Sequence, residues 1–147
     1  MKANNYINLE FPSRSSNEGF ARMAAACFAA QMDPTLNELE DIKTAVSEAV
    51  TNAIVHAYPN TLGKIQLKGK ILDGQVLEIT VKDWGRGIPD VGKARQPMFT
   101  TGGEERSGMG FTIMESFMDK ILVRSTPGKG TTVVLRKRIA VRAKPQK

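Results

Sequence analysis

The sequence predicts an α/β two-layer sandwich, in which helices cover one face of a mixed, mostly antiparallel sheet. Two observations lead to this fold class. Apolar residues recur with helical spacing along one long segment, and shorter segments with strand character are paired around tight, glycine-containing turns. The predicted order is strand, helix, helix, two strands, loop, helix and two strands. We therefore expect one domain at residues 1–136, followed by a basic tail at 137–147.

A strand and a helix are predicted at the start of the chain. Residues 7–11 alternate between apolar and polar side chains, which is typical of an edge strand. Ser15 and Glu18 have the spacing of a capping box, so a helix is expected to begin there. The apolar face of this helix would consist of Phe20, Met23, Ala24, Cys27 and Phe28. Cys27, the single cysteine, is expected to be a small buried hydrophobe.

The longest predicted helix follows. Asp33-Pro34 combines an N-cap acid with a proline suited to the first helical turn. Apolar residues at 36–54 then keep helical spacing, and the pattern ends at Tyr58-Pro59. We therefore expect one continuous helix across this segment.

Two strand pairs, a loop and a short helix are predicted in the rest of the chain. Residues 65–72 and 76–82 flank Asp73-Gly74, which is a preferred pair for a type I′ hairpin turn. Residues 88–106 contain prolines, glycines and threonines with weak periodicity, and predict a loop around a short helix. The remaining elements are a helix at 111–118 and strands at 120–125 and 131–136.

Charge and composition narrow the class of protein. The chain has 21 lysines and arginines against 15 acids, which gives a net charge of +6. Much of the excess lies near the C-terminus, where a solvated terminus is the simplest explanation. No aromatic residues interleave with those charges, so direct nucleic-acid binding is not expected. The chain shows no membrane span or signal peptide, and the cytoplasm is the expected compartment.

Glu48 and Asn52 form the first motif whose side chains are suited to catalysis or ligand binding. They are four residues apart on the long helix and project from one stripe beside its apolar face. A carboxylate there can accept a proton from a nucleophile, and an amide oxygen suits Mg²⁺. A solvated pair on a helix surface remains the alternative for this motif taken alone.

Asp83 begins the second motif, Asp83-Trp84-Gly85-Arg86-Gly87. A buried carboxylate at a strand end is a good acceptor for the exocyclic amine of adenine. Gly85 and Gly87 let the backbone turn and approach a flat base. An ordinary surface turn is the alternative.

Gly108-Met109-Gly110 forms the third motif and opens a predicted helix, whose N–H groups and dipole can face phosphates. Arg106 and Ser107 can add a cation and a hydroxyl. Taken alone, this motif could also be an ordinary helix start in which the glycines only provide conformational freedom. The three motifs in this order predict an ATP site without a Walker loop or a Rossmann fingerprint, both of which are absent.

These motifs resemble those of the GHKL (Bergerat) ATP-binding fold of gyrase-type topoisomerases, a heat-shock chaperone, histidine kinases and mismatch-repair ATPases. Segments 47–54, 95–101 and 105–115 resemble more specifically the anti-sigma serine kinases of spore-forming bacteria. The resemblance extends from about residue 7 to about residue 136. A histidine kinase would need a phosphoacceptor histidine on a separate helix, yet the only histidine, His56, lies within the proposed ATP helix.

The resemblance implies a role for each matching residue. Glu48 would be the general base, Asn52 would hold Mg²⁺, and Asp83 would bind the adenine amine with Gly85 and Gly87 nearby. The lid over the phosphates would comprise Thr100, Thr101, Arg106, Ser107, Gly108, Met109 and Gly110. Thr132 would line the adenine pocket, and Arg22 would face the sigma factor.

The resemblance also implies the partners. Members of this branch act as homodimers that inhibit a sporulation sigma factor of the sigma F type. They use Mg-ATP to phosphorylate an anti-anti-sigma protein on serine. Two other functions remain open from the residues: an ATP-gated binding module with little kinase activity, and an anti-sigma kinase of the general stress response.

Overall fold

The computed structural model describes residues 2–95 and 110–141 of the chain. Five strands form one sheet in the order β1-β2-β3-β5-β4, and helices cover one of its faces. The strands are β1 (Ala3–Pro12), β2 (Lys64–Leu72), β3 (Val76–Asp83), β4 (Lys120–Thr126) and β5 (Gly130–Arg138). The helices are α1 (Asn17–Ala29), α2 (Leu36–Asn52), α3 (Val91–Ala94) and α4 (Gly110–Phe117).

The two-layer fold class is confirmed, and the sheet is more regular than predicted. All four strand pairings among the described residues are antiparallel, so this sheet is not mixed. Strand β1 lies at an edge, as predicted, but begins at Ala3 and has an irregularity between Ala3 and Asn5. Helix α3 is the short helix expected in the loop after β3.

The core lies between the sheet and α2. Odd-numbered residues of β3 and β5 face the helices, because side chains alternate along a strand. The fully buried side chains of this layer include Ile42, Val46, Val50, Leu77, Ile79 and Leu135. Since the apolar stripe of α2 faces inward, residues that border the stripe lie at the rim of the core.

Helix α1 differs from its prediction in both its cap and its buried face. The N-cap residue Ser16 makes no side-chain capping bond, and Glu18 pairs with Arg22 at 3.6 Å instead of capping the helix. Phe20 and Met23 are 58% and 48% exposed, and Cys27 is also exposed. The buried side chains are Ala21, Ala25, Ala26, Phe28 and Ala29. Small alanines let α1 approach the underlying layer closely, so Phe20 and Met23 face outward and Phe28 is the one large apolar side chain of α1 that is buried.

Helix α2 begins two residues later than the predicted cap. Thr35 is the N-cap, and its hydroxyl accepts a hydrogen bond from the Glu38 N–H at 3.0 Å. The Glu38 carboxylate accepts one from the Thr35 N–H at 2.8 Å, which completes a capping box. Asp33 has a left-handed conformation with φ 55° and follows a 3₁₀ turn at Ala30–Met32. The predicted acid cap at Asp33 is therefore wrong.

The β2–β3 hairpin exists where predicted, but its turn is displaced. The residues with positive φ are Gly74 and Gln75, at 84° and 63°, instead of Asp73 and Gly74. Leu72 pairs with Val76 across this turn.

The basic residues before the C-terminus are partly structural. Strand β5 continues to Arg138, and Ile139 is fully buried. Arg136 pairs with Glu78 at 2.8 Å, and Lys137 donates to the backbone oxygen of Phe117 at 2.8 Å. These residues belong to the sheet, so the expectation of a solvated terminus is wrong for them.

We expect Thr35→Ala to lower the free energy of unfolding by about 1 kcal/mol, because it removes the cap of the longest helix. Ser16→Ala is the matched control, since Ser16 is an exposed N-cap residue without a side-chain capping bond. Urea denaturation of both variants would measure the difference. Equal effects at the two positions would contradict the assignment of the capping box to α2.

Candidate functional site

A cavity of about 300 Å³ lies between the C-terminal part of α2 and strands β3 and β5. Helical residues on its wall are Ala49, Asn52, Ala53, His56 and Ala57, and strand residues are Val81, Asp83, Thr131 and Val133. The remaining lining residues are Arg86, Gly87, Ile88, Pro89, Ala94, Gly110 and Phe111. A mainly apolar wall with few polar groups is typical of a small-molecule site.

Asp83 is the buried polar group of this cavity. Its residue is 6% exposed, and its Oδ1 accepts hydrogen bonds from the N–H groups of Gly85 at 3.0 Å and Thr131 at 3.1 Å. No residue in the described ranges donates a hydrogen bond to Oδ2. Burial raises the pKa of the Asp83 carboxyl, and the two backbone hydrogen bonds oppose that shift. One carboxylate oxygen is thus fixed by the backbone, and the other can accept a hydrogen bond from a ligand.

The two glycines of the Asp83 turn have different structural requirements. A Cβ on Gly85 would lie 2.3 Å from the backbone oxygen of Ala57, so only glycine fits against the helical segment. Gly87 has φ +78°, and a Cβ there would lie 2.4 Å from the backbone oxygen of Thr126. Gly87 lines the cavity, whereas Gly85 packs behind it and positions Asp83.

Glu48 and Asn52 converge on the start of α4. A Cβ placed on Gly110 would lie 3.3 Å from Glu48 Oε1 and 3.1 Å from Asn52 Nδ2. Asn52 and Gly110 line the cavity, whereas Glu48 does not line it and lies against Gly110, one helical turn before Asn52. The structure therefore brings the first motif and the last residue of the third motif together.

The helical hydrogen-bond pattern changes directly after Asn52. Residues Ala53–Ala57 are π-helical, so the predicted continuous α-helix ends at Asn52. Such a widened turn often occurs at functional sites, because it redirects the side chains that follow. His56 and Ala57 in this segment both line the cavity.

Tyr58 and Trp84 connect the helical segment to the sheet. The Tyr58 hydroxyl donates a hydrogen bond to the backbone oxygen of Lys64 at 2.7 Å and accepts one from the backbone N–H of Trp84 at 2.7 Å. The Trp84 ring does not line the cavity. Instead, the ammonium groups of Lys64 and Lys82 lie 4.4 Å and 5.0 Å from its centroid. The bulky ring next to Asp83 is therefore compatible with an open cavity.

Thr131, and not the predicted Thr132, lines the cavity from β5. Its N–H contacts Asp83, and its hydroxyl lies 2.8 Å from Ser125 Oγ. Thr132 pairs with Lys82 and Arg124 on the opposite face of the sheet. The predicted position was one residue too far along β5, and neighbouring residues of a strand face opposite sides of the sheet.

Six of the predicted lid residues belong to segment 96–109. Thr100, Thr101, Arg106, Ser107, Gly108 and Met109 lie outside the described residues. Arg22, the predicted sigma-factor contact, lies on α1 and does not line the cavity. Residues 2–95 and 110–141 contain no group of three histidine, cysteine or acidic side chains suited to a metal ion.

Sequence reasoning did not assign Arg86, Ile88 or Phe111 to the site. Arg86 occupies the variable position between Gly85 and Gly87, where the motif itself gives no information. Phe111 follows Gly110 on α4 and is 6% exposed. Its place directly after a glycine motif, at the start of an apolar helix, is the signal that could have identified it.

Comparison with known proteins identifies the family. The profile described as the histidine kinase-like ATPase domain matches residues 11–137. The anti-sigma F factor of Caldanaerobacter subterraneus subsp. tengcongensis is 58% identical over 95% of this chain and 97% of its own length. The anti-sigma F factor of Geobacillus kaustophilus is 57% identical over 92% of this chain and 94% of its own length.

Solved structures of more distant proteins share the fold. A Mycobacterium tuberculosis protein with RsbU and RsbW domains matches with a TM-score of 0.70 at 18% identity, over 98% of this chain and 35% of that one. A blue-light-activated histidine kinase of Erythrobacter litoralis matches with a TM-score of 0.57 at 23% identity, over 83% of this chain and 61% of its own. Within the described residues, no helix is long and apolar enough to cross a membrane.

We expect Asp83→Asn to keep both backbone hydrogen bonds through its amide oxygen while it removes a buried charge. Because the pKa of Asp83 is raised in the folded state, its contribution to stability is present below the unfolded value of 3.8 and is lost as pH rises through the folded value. The stability of Asp83→Asn relative to wild type should therefore increase with pH across that window.

Urea denaturation of the nucleotide-free proteins from acidic to neutral pH would measure this difference. Asp73→Asn, which removes an exposed carboxylate at the β2–β3 turn, controls for the loss of one charge. A relative stability of Asp83→Asn that falls with rising pH would mean that the pKa shift has the opposite sign.

Proposed function

This chain belongs to the histidine kinase-like ATPase family and to its anti-sigma F factors, and we propose that it is both an anti-sigma factor and a protein serine kinase. It binds and inhibits a sporulation sigma factor of the sigma F type as a homodimer. It also phosphorylates the anti-anti-sigma antagonist of that factor on serine, with Mg-ATP as the phosphoryl donor. The observation that carries the kinase proposal is the convergence of Glu48 and Asn52 on Gly110 beside the Asp83 cavity.

The adenine ring occupies the cavity beside Asp83. Oδ2 accepts a hydrogen bond from the exocyclic amine, while Oδ1 remains bonded to Gly85 and Thr131. The apolar side chains of Val81, Ile88 and Val133 contact the base. In this arrangement a fixed carboxylate provides specificity, and apolar contact provides most of the affinity.

The phosphates extend from the adenine toward the start of α4. Gly110 leaves its backbone accessible there, and helical N–H groups at that end favour negative charge. The preceding residues Arg106, Ser107 and Gly108 contribute a cation, a hydroxyl and a backbone N–H group to the phosphate contacts. Thr100, Thr101 and Met109 complete the lid segment.

Asn52 is the residue suited to hold Mg²⁺. Its amide reaches the cavity beside Glu48 and Gly110, and oxygen donors of this kind suit a hard cation that keeps several waters. When bound, the ion neutralises charge on the phosphate oxygens.

Glu48 acts as the general base. Its carboxylate accepts the proton of the acceptor serine as the serine oxygen bonds to the γ-phosphorus and the bond to ADP breaks. Its position one turn before Asn52 directs the carboxylate to the phosphate end of the cavity, away from the adenine. Much of the rate enhancement comes from holding the two substrates in line.

Phosphorylation of the antagonist lets the kinase return from the antagonist to the sigma factor. Phosphoserine adds negative charge at the docking surface of the antagonist and weakens its hold on the kinase. The kinase is then free to bind the sigma factor again, with Arg22 on α1 contributing to that surface. Phosphoryl transfer and the choice of partner are thereby linked.

We expect Glu48→Gln to bind ATP normally and to lose phosphoryl transfer by at least about a hundredfold, because the amide cannot accept the serine proton. Transfer from γ-labelled ATP to the anti-anti-sigma protein of the same genome would measure this, with the acceptor serine replaced as a control. Glu40→Gln, an exposed acid on the same helix, is the matched control. Tight ATP binding by wild type without any transfer would instead indicate an ATP-gated binding module.

We expect Asp83→Ala to weaken ATP binding by at least about tenfold, since it removes a charged hydrogen-bond acceptor. Isothermal titration calorimetry would measure the affinity, with Asp73→Ala as the control. Because alanine leaves two N–H groups without their acceptor, Asp83→Asn should be measured alongside. Wild-type affinity in both Asp83 variants would exclude the adenine contact.

A further inference from the structure

The face of the sheet opposite the helices carries an unusual share of the positive charge. We define this open face by the even-numbered positions of the five strands, which alternate with the core positions. It holds eight lysines and arginines and two glutamates. The excess of six equals the net charge of +6 of the whole chain, so the rest of the chain is neutral overall.

Most of these cations make no ion pair within the part of the chain that the structure describes. Lys64 lies 4.0 Å from Glu10, and Arg136 lies 2.8 Å from Glu78. The other six are Lys68, Lys70, Lys82, Lys120, Arg124 and Arg138, which make no ion pair with any described residue. The open face therefore presents six cations that form no ion pair with a described residue.

Part of their arrangement brings like charges together, although Glu78 lies opposite both Lys70 and Arg136. Lys120 lies directly opposite Arg136, and Lys68 and Lys70 occupy alternate positions of β2, about 6.6 Å apart. Like charges that face each other across a sheet are destabilising. A negatively charged partner would relieve this repulsion.

The centre of the open face is neutral and partly apolar. Thr80, Val134 and Leu122 lie side by side on β3, β5 and β4; Val134 is only 6% exposed, whereas Leu122 is 38% exposed. The cations surround this row. A neutral centre with a charged rim is typical of a protein–protein interface.

Aromatic side chains on this face do not favour nucleic acid. Lys64 and Lys82 cover the Trp84 ring, which reduces its availability for stacking on a base. Tyr6 is 72% exposed but lies on the edge strand beside Lys70. Single-stranded nucleic acids need several accessible rings along a basic groove, and the described residues of this face do not provide them.

We propose that the open face binds an acidic, extended segment of a partner protein. In such a segment alternate carboxylates have the same spacing as Lys68 and Lys70, and an apolar side chain contacts Leu122. Asp83 faces the helices while Lys82 faces outward, so this surface and the nucleotide cavity can be occupied together. Arg22, the proposed sigma-factor contact, lies on α1 and is not part of the open face.

Isothermal titration calorimetry with a short peptide of alternating glutamate and leucine would test the proposal on the full chain. We expect binding that weakens with salt, and that weakens about tenfold in Lys68→Gln/Lys70→Gln. Lys43→Gln/Lys129→Gln removes two cations outside the open face and should bind as wild type does. Arg124→Gln tests the same face from β4 should the first variant be unstable.

Three results would overturn the proposal. The first is no binding of the acidic peptide, and the second is equal binding by wild type and the open-face variants. The third is preferential binding of oligothymidylate, or of phosphatidylserine-containing vesicles, that the same substitutions abolish. That last result would assign the open face to nucleic acid or to membrane instead.

Discussion

The hydrogen bonds to one oxygen of Asp83 are the interaction on which the rest of the site depends. A carboxylate this buried needs donors, and it takes them from Gly85 on its own turn and from Thr131 on β5. The first contact requires a turn that can pass close to Ala57, and the second fixes the register of two neighbouring strands. Because Oδ1 accepts both of these hydrogen bonds, Oδ2 is held in place without a side-chain partner among the described residues and can recognise a ligand.

The two faces of the antiparallel sheet lie in different environments, although the same strands form both faces. Alternate residues of β3 and β5 either build the core and the cavity or form the open face. Lys82 and Asp83 are adjacent in sequence, yet one faces solvent and the other the interior. A single strand thereby supports nucleotide recognition on one side and a concentration of positive charge on the other.

The long helix, the hairpins and the three motifs could be predicted because each has a strong local signal. Other features depend on tertiary contacts. Apolar residues occur on every face of α1, so its sequence does not show that the alanines face inward. Val133 and Val134 are both buried, which conceals the phase of β5 and explains the confusion of Thr132 with Thr131. The π-helical turn after Asn52 has no sequence signal, because it arises where the helix meets the Asp83 turn.

The position of the single tryptophan has a practical consequence for spectroscopy. Trp84 adjoins Asp83, its backbone N–H donates a hydrogen bond to the Tyr58 hydroxyl, and its ring contacts two lysine ammonium groups. Indole emission responds to nearby charge and to solvent. The tryptophan fluorescence of this chain therefore comes from one indole ring near the cavity, with no contribution from a second tryptophan. The wild-type chain carries its own optical reporter at the junction of the sheet and the nucleotide site.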